Sequence, residues 1–353
     1  MSPPGARFGK CPSVGIYCDA GPGIGVGHLM RCLALAEELL SRGASVRVMA
    51  PTSGIEWIPA LFGPVPLEEP PPDLVASAAR FDALVLDSYL LPPAVSGELR
   101  RAGLPVLAIV DGTTRGQDAD IFVDQNLGAE DVAVDLPPAS THLAGLRYAL
   151  LRDDVRAHAR PRPRRPLDGP PRVLCVFGGT DPYGAAPAVL RLAAGTGAPF
   201  DATVIAARPP LLAELESVTL APGQTARVIP PVADLPALAA ASDVVVTASG
   251  TSIWDMLHLG VPTALTWVVD HQRDGYTATV SRGLAAGLGH VREFGPEASR
   301  TLFRLLTDPS VRAALAGHGA TAVDGQGRER VADALFAALR DGAAEPTPGS
   351  RTA

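Results

Sequence analysis

The chain has 353 residues, 47% of them hydrophobic and 19% charged, with a formal net charge of −7 at pH 7. That is enough for two packed lobes or one large α/β domain, and too apolar for intrinsic disorder. No apolar run reaches the roughly 18 to 20 residues of a bilayer span, and basic residues do not cluster as phosphate-binding surfaces require, so neither a membrane span nor a nucleic-acid partner is expected.

Lys10 is the only lysine, which removes a P-loop lysine, a Schiff base at a later lysine and a Ser-Lys dyad in the body of the chain. Cys11, Cys18, Cys32 and Cys175 form no CxxC pair, and the histidines show no HxxxH spacing. These features predict structural thiols in a reducing cytoplasm, with no metal site. A basic n-region followed by an apolar h-region is not visible at the N-terminus, so no secretory signal is expected.

Residues 14–18 read as a strand. Residues 28–40 read as a helix with Leu29, Cys32, Leu33, Ala36 and Leu40 on one face. Strands follow at 45–50, 83–87 and 106–111, the last two ending in Asp87 and Asp111. Strands joined by helices form parallel sheets, whose ligands bind beyond the carboxyl ends of the strands. Residues 21–28, Asp87 and Asp111 should therefore converge on one cleft. A dense Pro, Arg and Asp run at 152–171 predicts an extended, solvated linker after an N-terminal domain over 1–151. The rhythm then restarts, with strands at 172–177, 202–206, 226–229, 244–247 and 262–267 and helices at 184–194, at 251–259, after Asp270 and at 329–339. This gives a C-terminal domain over 172–341 and a tail over 342–353 whose composition cannot pack.

Three loops carry chemistry. In DAGPGIGVGHLMR, residues 19–31, alternate glycines lead into a helix whose first turn holds His28. Glycines let backbone N–H groups approach an anion, and the helix N-terminus favours negative charge. The fit to a dinucleotide fingerprint is loose, and the second strand runs into Pro51 where an acid would grip a ribose, so nicotinamide and flavin are not expected. A histidine at this junction can cap or pack, but at the mouth of a sheet it suits proton transfer. FGGTDP, residues 177–182, and TASGTSIWD, residues 247–255, repeat the strand-turn-helix pattern. Either turn can serve geometry alone or bind phosphate, and Asp255 is placed to accept hydrogen bonds from a ribose diol or to be an ordinary surface acid. The Asp118-Ala119-Asp120 run reads as a solvated loop rather than a divalent-cation site.

Seven segments in a fixed order carry a resemblance. They are GIGVGHLMRCLALAEEL at 23–39, LVLDSYLL at 84–91, VDQN at 123–126, GLRYALLRDD at 145–154, FGGTDP at 177–182, SGTSIWDMLHLGVP at 249–262 and Gln272 in DHQRDG. Together they resemble the UDP-sugar hydrolases of the pseudaminic acid pathway and their relatives among spore-coat polysaccharide proteins. That family shares the GT-B fold with the MurG-type transferase that adds N-acetylglucosamine to the peptidoglycan lipid intermediate. The resemblance implies an α/β GT-B chain, two Rossmann-like parallel-sheet domains facing across a cleft. It also implies inverting, metal-independent hydrolysis of a UDP-linked acetamido-deoxysugar, of the 2,4-diacetamido-2,4,6-trideoxyhexose type, without a cofactor. Such a step serves nonulosonic acid or surface polysaccharide synthesis. His28 is then the general base, with Asp87, Tyr89 and Asn126 beside the sugar. Gly25, Gly27, Arg31, Gly178, Gly179, Thr180, Ser249, Gly250, Thr251, Asp255 and Gln272 fall to the UDP-sugar. The chain departs from the family at Asp255, where Glu is usual, at Tyr17, where Arg is expected, and at Gly112, the second place of an Asp-Asp pair. A GT-B glycosyltransferase using the same groups, or a silent sugar-nucleotide binder, stays open, and oligomeric state is not legible.

Overall fold

Two all-parallel sheets organise the computed structural model, which describes residues 11–21, 23–55, 57–159, 169–178, 181–206 and 208–344, the side chains of 341–344 excepted. The first contains β1 (Ser13–Cys18), β2 (Ser45–Met49), β3 (Leu67–Glu68), β4 (Ala83–Asp87), β5 (Val106–Ile109), β6 (Ile121–Asp124) and β7 (Thr141–Ala144). Their order is β3-β2-β1-β4-β5-β6-β7. The second contains β8 (Arg172–Val176), β9 (Phe200–Ile205), β10 (Gln224–Ile229), β11 (Val244–Ala248), β12 (Thr263–Trp267) and β13 (Ala286–His290), ordered β10-β9-β8-β11-β12-β13.

The central strands are apolar because both faces of each sheet are covered there. Ala83 and Val85 join one core with the Gly27–Ser41 helix, while Leu84 and Leu86 join the core on the opposite face. Val173 and Cys175 part in the same way from Leu174 and Val176. This period of two, with neither face wet, is what a helix-covered parallel sheet demands. In both sheets the strand order reverses beside the first strand, between β1 and β4 and between β8 and β11. The crevice that takes ligands in such sheets opens there.

The sequence reading misses β3, β6, β7 and β13. β3 has two residues, β6 and β7 four each, and β13 reads AGLGH, so none carries a strong period. The strand expected over 106–111 stops at Ile109, which leaves Asp111 in the turn beyond it.

Two corrections concern how the chain crosses between sheets. The stretch expected to be a solvated linker from 152 begins instead with the Asp153–Ala157 helix, whose Val155 is fully buried. Leu146, Ala149, Leu151 and Val155 lie in the core of the second sheet with Leu174 and Trp254. Residues 160–168 lie outside the described residues. The last helix, Gly327–Ala344, crosses the other way: Val331, Ala332, Leu335, Phe336 and Leu339 pack into the core of the first sheet, although the sequence division gives them to the C-terminal domain. This helix runs on through Ala344, where a tail from 342 is expected, and 345–353 are outside the described residues. The two crossings touch, since a Cβ on Gly327 would lie 2.3 Å from the Ala149 carbonyl oxygen. Beside that contact the buried Arg328 donates to Glu37 at 3.1 Å and to Asp153.

Candidate active site

β1 and β4 pair so that Cys18 lies opposite Asp87, which sets the loop after one strand against the end of the other. Asp19, buried just past β1, accepts from Ser88 Oγ at 2.7 Å and from the Tyr89 N–H at 2.6 Å, fixing the loop after β4. The glycine loop doubles back on itself through mutual backbone bonds between Gly21 and Gly25, at 3.2 and 2.7 Å. Gly25 takes φ +88, the left-handed conformation that a side chain would oppose. The loop then delivers the Gly27–Ser41 helix with His28 in its first turn.

His28 Nδ1 lies 2.6 Å from Asp87 Oδ1. Asp87 is 1% exposed and also accepts from Arg31 Nε at 2.6 Å, Arg31 Nη2 at 2.7 Å and Cys32 Sγ at 3.6 Å. Burial opposes its ionisation, but the charges of Arg31 and then His28 outweigh burial and hold the carboxyl well below the usual range. An ionised Asp87 accepts a hydrogen bond from the Nδ1–H, which leaves Nε2 as the basic nitrogen of the neutral ring. Arg31 Nη1 and Nη2 reach on to Asp111 at 3.1 and 3.2 Å. There too burial is outweighed by Arg31, and Asp111 is lowered to about 2. Asn126 Nδ2 donates to Asp111 at 2.7 Å and to Asp124 at 2.8 Å, and the Tyr89 hydroxyl donates to Asp111. The four residues expected beside a sugar, His28, Asp87, Tyr89 and Asn126, thus belong to one network.

Arg31, which also lines the cavity between the two sheets, has its guanidinium 3% exposed and engaged by two carboxylates, so it braces this network. The Asp118 and Asp120 carboxylates are likewise not a bare acidic loop: both pair with Arg100, at 2.5 and 2.8 Å.

On the second sheet, Gly178 follows β8 with φ +67. Gly179 and Thr180 lie outside the described residues. Asp181 accepts from the Ala185 and Ala186 N–H groups at 2.8 and 2.9 Å and so caps the Ala185–Gly195 helix. Ser249, Gly250 and Thr251 follow β11, and Thr251 begins the Ser252–Leu259 helix without a side-chain cap bond. Asp255, one turn in, is pushed up to about 7 by burial, which the Arg152 charge only partly offsets. No described side chain donates a hydrogen bond to its carboxylate. Gln272 accepts from the Val268 N–H at 3.0 Å through Oε1, and its amide nitrogen has no bonded partner among the described residues.

A cavity of about 270 Å³ lies between the two sheets. Gly25, Gly27 and Arg31 wall it on the first side, Gly178, Gly250, Thr251, Asp255 and Gln272 on the second, and Trp57 and Arg152 add walls that the sequence reading does not single out. His28, Asp87, Tyr89, Asn126 and Ser249 are not on its walls. The imidazole is only 12% exposed and sits one residue from the wall, where the lobes nearly meet: a Cβ on Gly27 would come within 3.1 Å of Thr251 Oγ1. Asp19, Asp124 and Arg115 also escape the sequence reading. A signal for the two acids was present, since Asp19, Asp87, Asp111 and Asp124 all end a strand of the first sheet or stand one or two residues beyond it.

No protein-family model and no curated protein matches this sequence. Solved structures do. MurG of Acinetobacter baumannii superposes with a TM-score of 0.66 over 92% of this chain and 100% of that one, at 17% identity. The UDP co-structure of MnaA from S. aureus gives 0.66 over 96% and 100%, at 11% identity. The calicheamicin glycosyltransferase CalG4 gives 0.61 over 96% and 100%, at 15% identity. The fold is GT-B. Both sheets of this GT-B chain bring their strand-end loops to the gap between them, and among the described residues no helix is long and apolar enough to cross a membrane.

Proposed function

We propose that this protein hydrolyses a UDP-linked acetamido-deoxysugar at the anomeric C–O bond, releasing UDP and the free sugar with inversion. The observation that carries the reading is the His28–Asp87 contact at 2.6 Å, one residue from Gly27 on the cavity wall, where the first lobe comes into near contact with Thr251 of the second. With Asp87 ionised and Nδ1 protonated, Nε2 takes a proton from water as the water oxygen attacks the anomeric carbon. The bond from that carbon to the diphosphate oxygen breaks, and the electron pair leaves with UDP. Backbone amides at Gly178 and at the uncapped start of the Ser252–Leu259 helix suit the developing diphosphate charge. Gly179 and Thr180, in the same loop, are assigned to that charge by the sequence resemblance. Asp255 suits the ribose diol, because a half-buried carboxylate to which no described side chain donates gains most from two hydroxyl donors. Domain 172–341, less its last helix, would then hold UDP, and domain 1–151 the sugar and the base.

A glycosyltransferase is the second reading. CalG4, named as a glycosyltransferase, shares the fold, and the same base serves an acceptor hydroxyl. UDP release from a panel of UDP-acetamidosugars, followed with and without acceptor sugars, separates the two. Release in water alone is expected. Strict dependence on an acceptor replaces the hydrolase by the transferase, and absence of both release and UDP binding removes the enzyme reading.

A further inference from the structure

Asp111 has no free direction in which to hold a ligand. Its Oδ1 accepts from Arg31 Nη1 at 3.1 Å and Asn126 Nδ2 at 2.7 Å, while Oδ2 accepts from Arg31 Nη2 at 3.2 Å and from the Tyr89 hydroxyl. A carboxylate offers about four acceptor sites, so this one is saturated by its neighbours. Two of these donors, Arg31 and Tyr89, lead back to His28. Arg31 is bonded through two nitrogens to Asp87, which holds Nδ1. The Tyr89 ring stands edge-on to the imidazole, with centroids 4.8 Å apart and planes at 89°.

The turn that carries Asp111 is itself anchored. The Gly112 N–H donates to Asp124 at 2.7 Å, with Gly112 at φ +80. Arg115, a non-glycine residue at φ +54, donates to the Tyr89 carbonyl at 2.9 Å and lays its guanidinium 4.4 Å from the Tyr89 ring centre. The segment from 111 to 115 therefore grips Tyr89 by its hydroxyl, its face and its backbone. A left-handed arginine is costly and persists only where its surroundings fix it.

We propose that Asp111 is the positioning residue of His28: through Arg31 it fixes Asp87, through Tyr89 it walls the imidazole, and it supplies a second negative charge behind the ring. The catalytic consequence rests on the reading of His28 as the base, whereas the structural one does not. The charged and titratable groups around the ring are Asp87 and Tyr89 from β4 and its loop, Arg31 from the ring's own helix, Asp111 and Arg115 from the turn after β5, and Asp124 from β6. Asp111→Asn changes the charge of Asp111 alone.

The test uses the full chain labelled with ¹⁵N-histidine, so that His28, assigned by its loss in His28→Ala, is titrated by NMR without substrate. Removing an anion disfavours the imidazolium, and Arg31, freed of one partner, adds to the effect. The His28 titration in Asp111→Asn should move down by roughly half a pH unit or more. Asp111→Glu, which keeps the charge, should restore most of the shift. UDP release should fall about tenfold in kcat for Asp111→Asn, with KM within about twofold, since the residue acts on the base and not on binding. Where Asp111→Asn fails to fold by circular dichroism, Tyr89→Phe tests the other arm: Tyr89 is 42% exposed, and loss of its hydroxyl should lower kcat severalfold at unchanged KM. An unshifted His28 titration in a folded Asp111→Asn protein overturns the proposal, as does wild-type kcat in Tyr89→Phe. A shifted titration with no UDP-sugar turned over keeps Asp111 as the positioning residue and rejects the hydrolase reading alone.

Discussion

Replacing Asp255 by Asn should move stability and nucleotide affinity in opposite directions. Burial pushes this carboxyl up to about 7 in the folded chain, against about 3.9 when unfolded. Between those values the folded state holds the extra proton, so stability contributed at low pH is lost as pH rises from about 4 to 7 and then stays level. Three units correspond to a ceiling of about 4 kcal/mol, and water reaching the cavity wall lowers the expected effect to about 2 kcal/mol. The Asn side chain keeps the shape without the charge. In urea unfolding without nucleotide, the gain of Asp255→Asn over wild type should grow between pH 5 and 7 and be flat to pH 8. The same variant should bind UDP at least tenfold more weakly by calorimetry, because a charge-assisted hydrogen bond contributes about 1.5 to 3 kcal/mol. Wild-type binding near pH 6.5 should release protons, since hydroxyl donors favour the ionised carboxylate; titrations in two buffers of different ionisation enthalpy read this directly. Parallel pH profiles for the two proteins, joined to equal UDP affinities, would show that this carboxylate is neither strained in the free protein nor used by the nucleotide.

His28→Ala should lower the rate of UDP release by about two orders of magnitude or more, with UDP affinity by calorimetry nearly unchanged; wild-type turnover would take the imidazole out of the chemistry. Arg31→Met leaves the buried Asp87 and the half-buried Asp111 without their shared cation, and a loss of roughly 3 to 5 kcal/mol in urea unfolding is expected. A loss below about 1 kcal/mol would mean that the lattice is solvated. Gly327→Ala places a methyl 2.3 Å from the Ala149 carbonyl oxygen and 2.5 Å from its amide nitrogen. Backbone cannot yield as a side chain does, so we expect about 1 to 3 kcal/mol of destabilisation, read as a lower thermal midpoint.

Much of the fold is legible because parallel strands covered on both faces leave continuous apolar runs, and because these runs stop at residues of another kind. Asp87 closes one such run and Gly178 follows another after Phe177, so the loops at the mouth of each sheet can be located from sequence. What they do to one another cannot. Arg31, on the same helix as His28, reads as a ligand contact, and nothing in its spacing tells of the two carboxylates it joins. Asp19 and Asp124 carry the same strand-end signal as Asp87, yet their work is to hold backbone N–H groups, which no spacing reveals. The last helix is apolar on one side, and periodicity predicts its burial without saying which sheet receives it. The near contact of Gly27 with Thr251, which stands between the imidazole and the cavity, depends on how two separately folded sheets meet. No local pattern encodes that meeting.

The return of the final helix to the first sheet bears on how the protein is made. Val331, Leu335, Phe336 and Leu339 complete a core to which β1, β2, β4, β5, β6, β7 and the helix that follows β1 all contribute. Chains leave the ribosome at about 5 to 20 residues per second and fold from the N-terminus as they emerge. This N-terminal half meets that packing partner only after residues 327–344 have emerged, and until then it carries an uncovered oily flank. Expression of residues 1–151 alone should give an aggregation-prone product, and the 327–344 peptide, added in trans, is the natural reagent to rescue it.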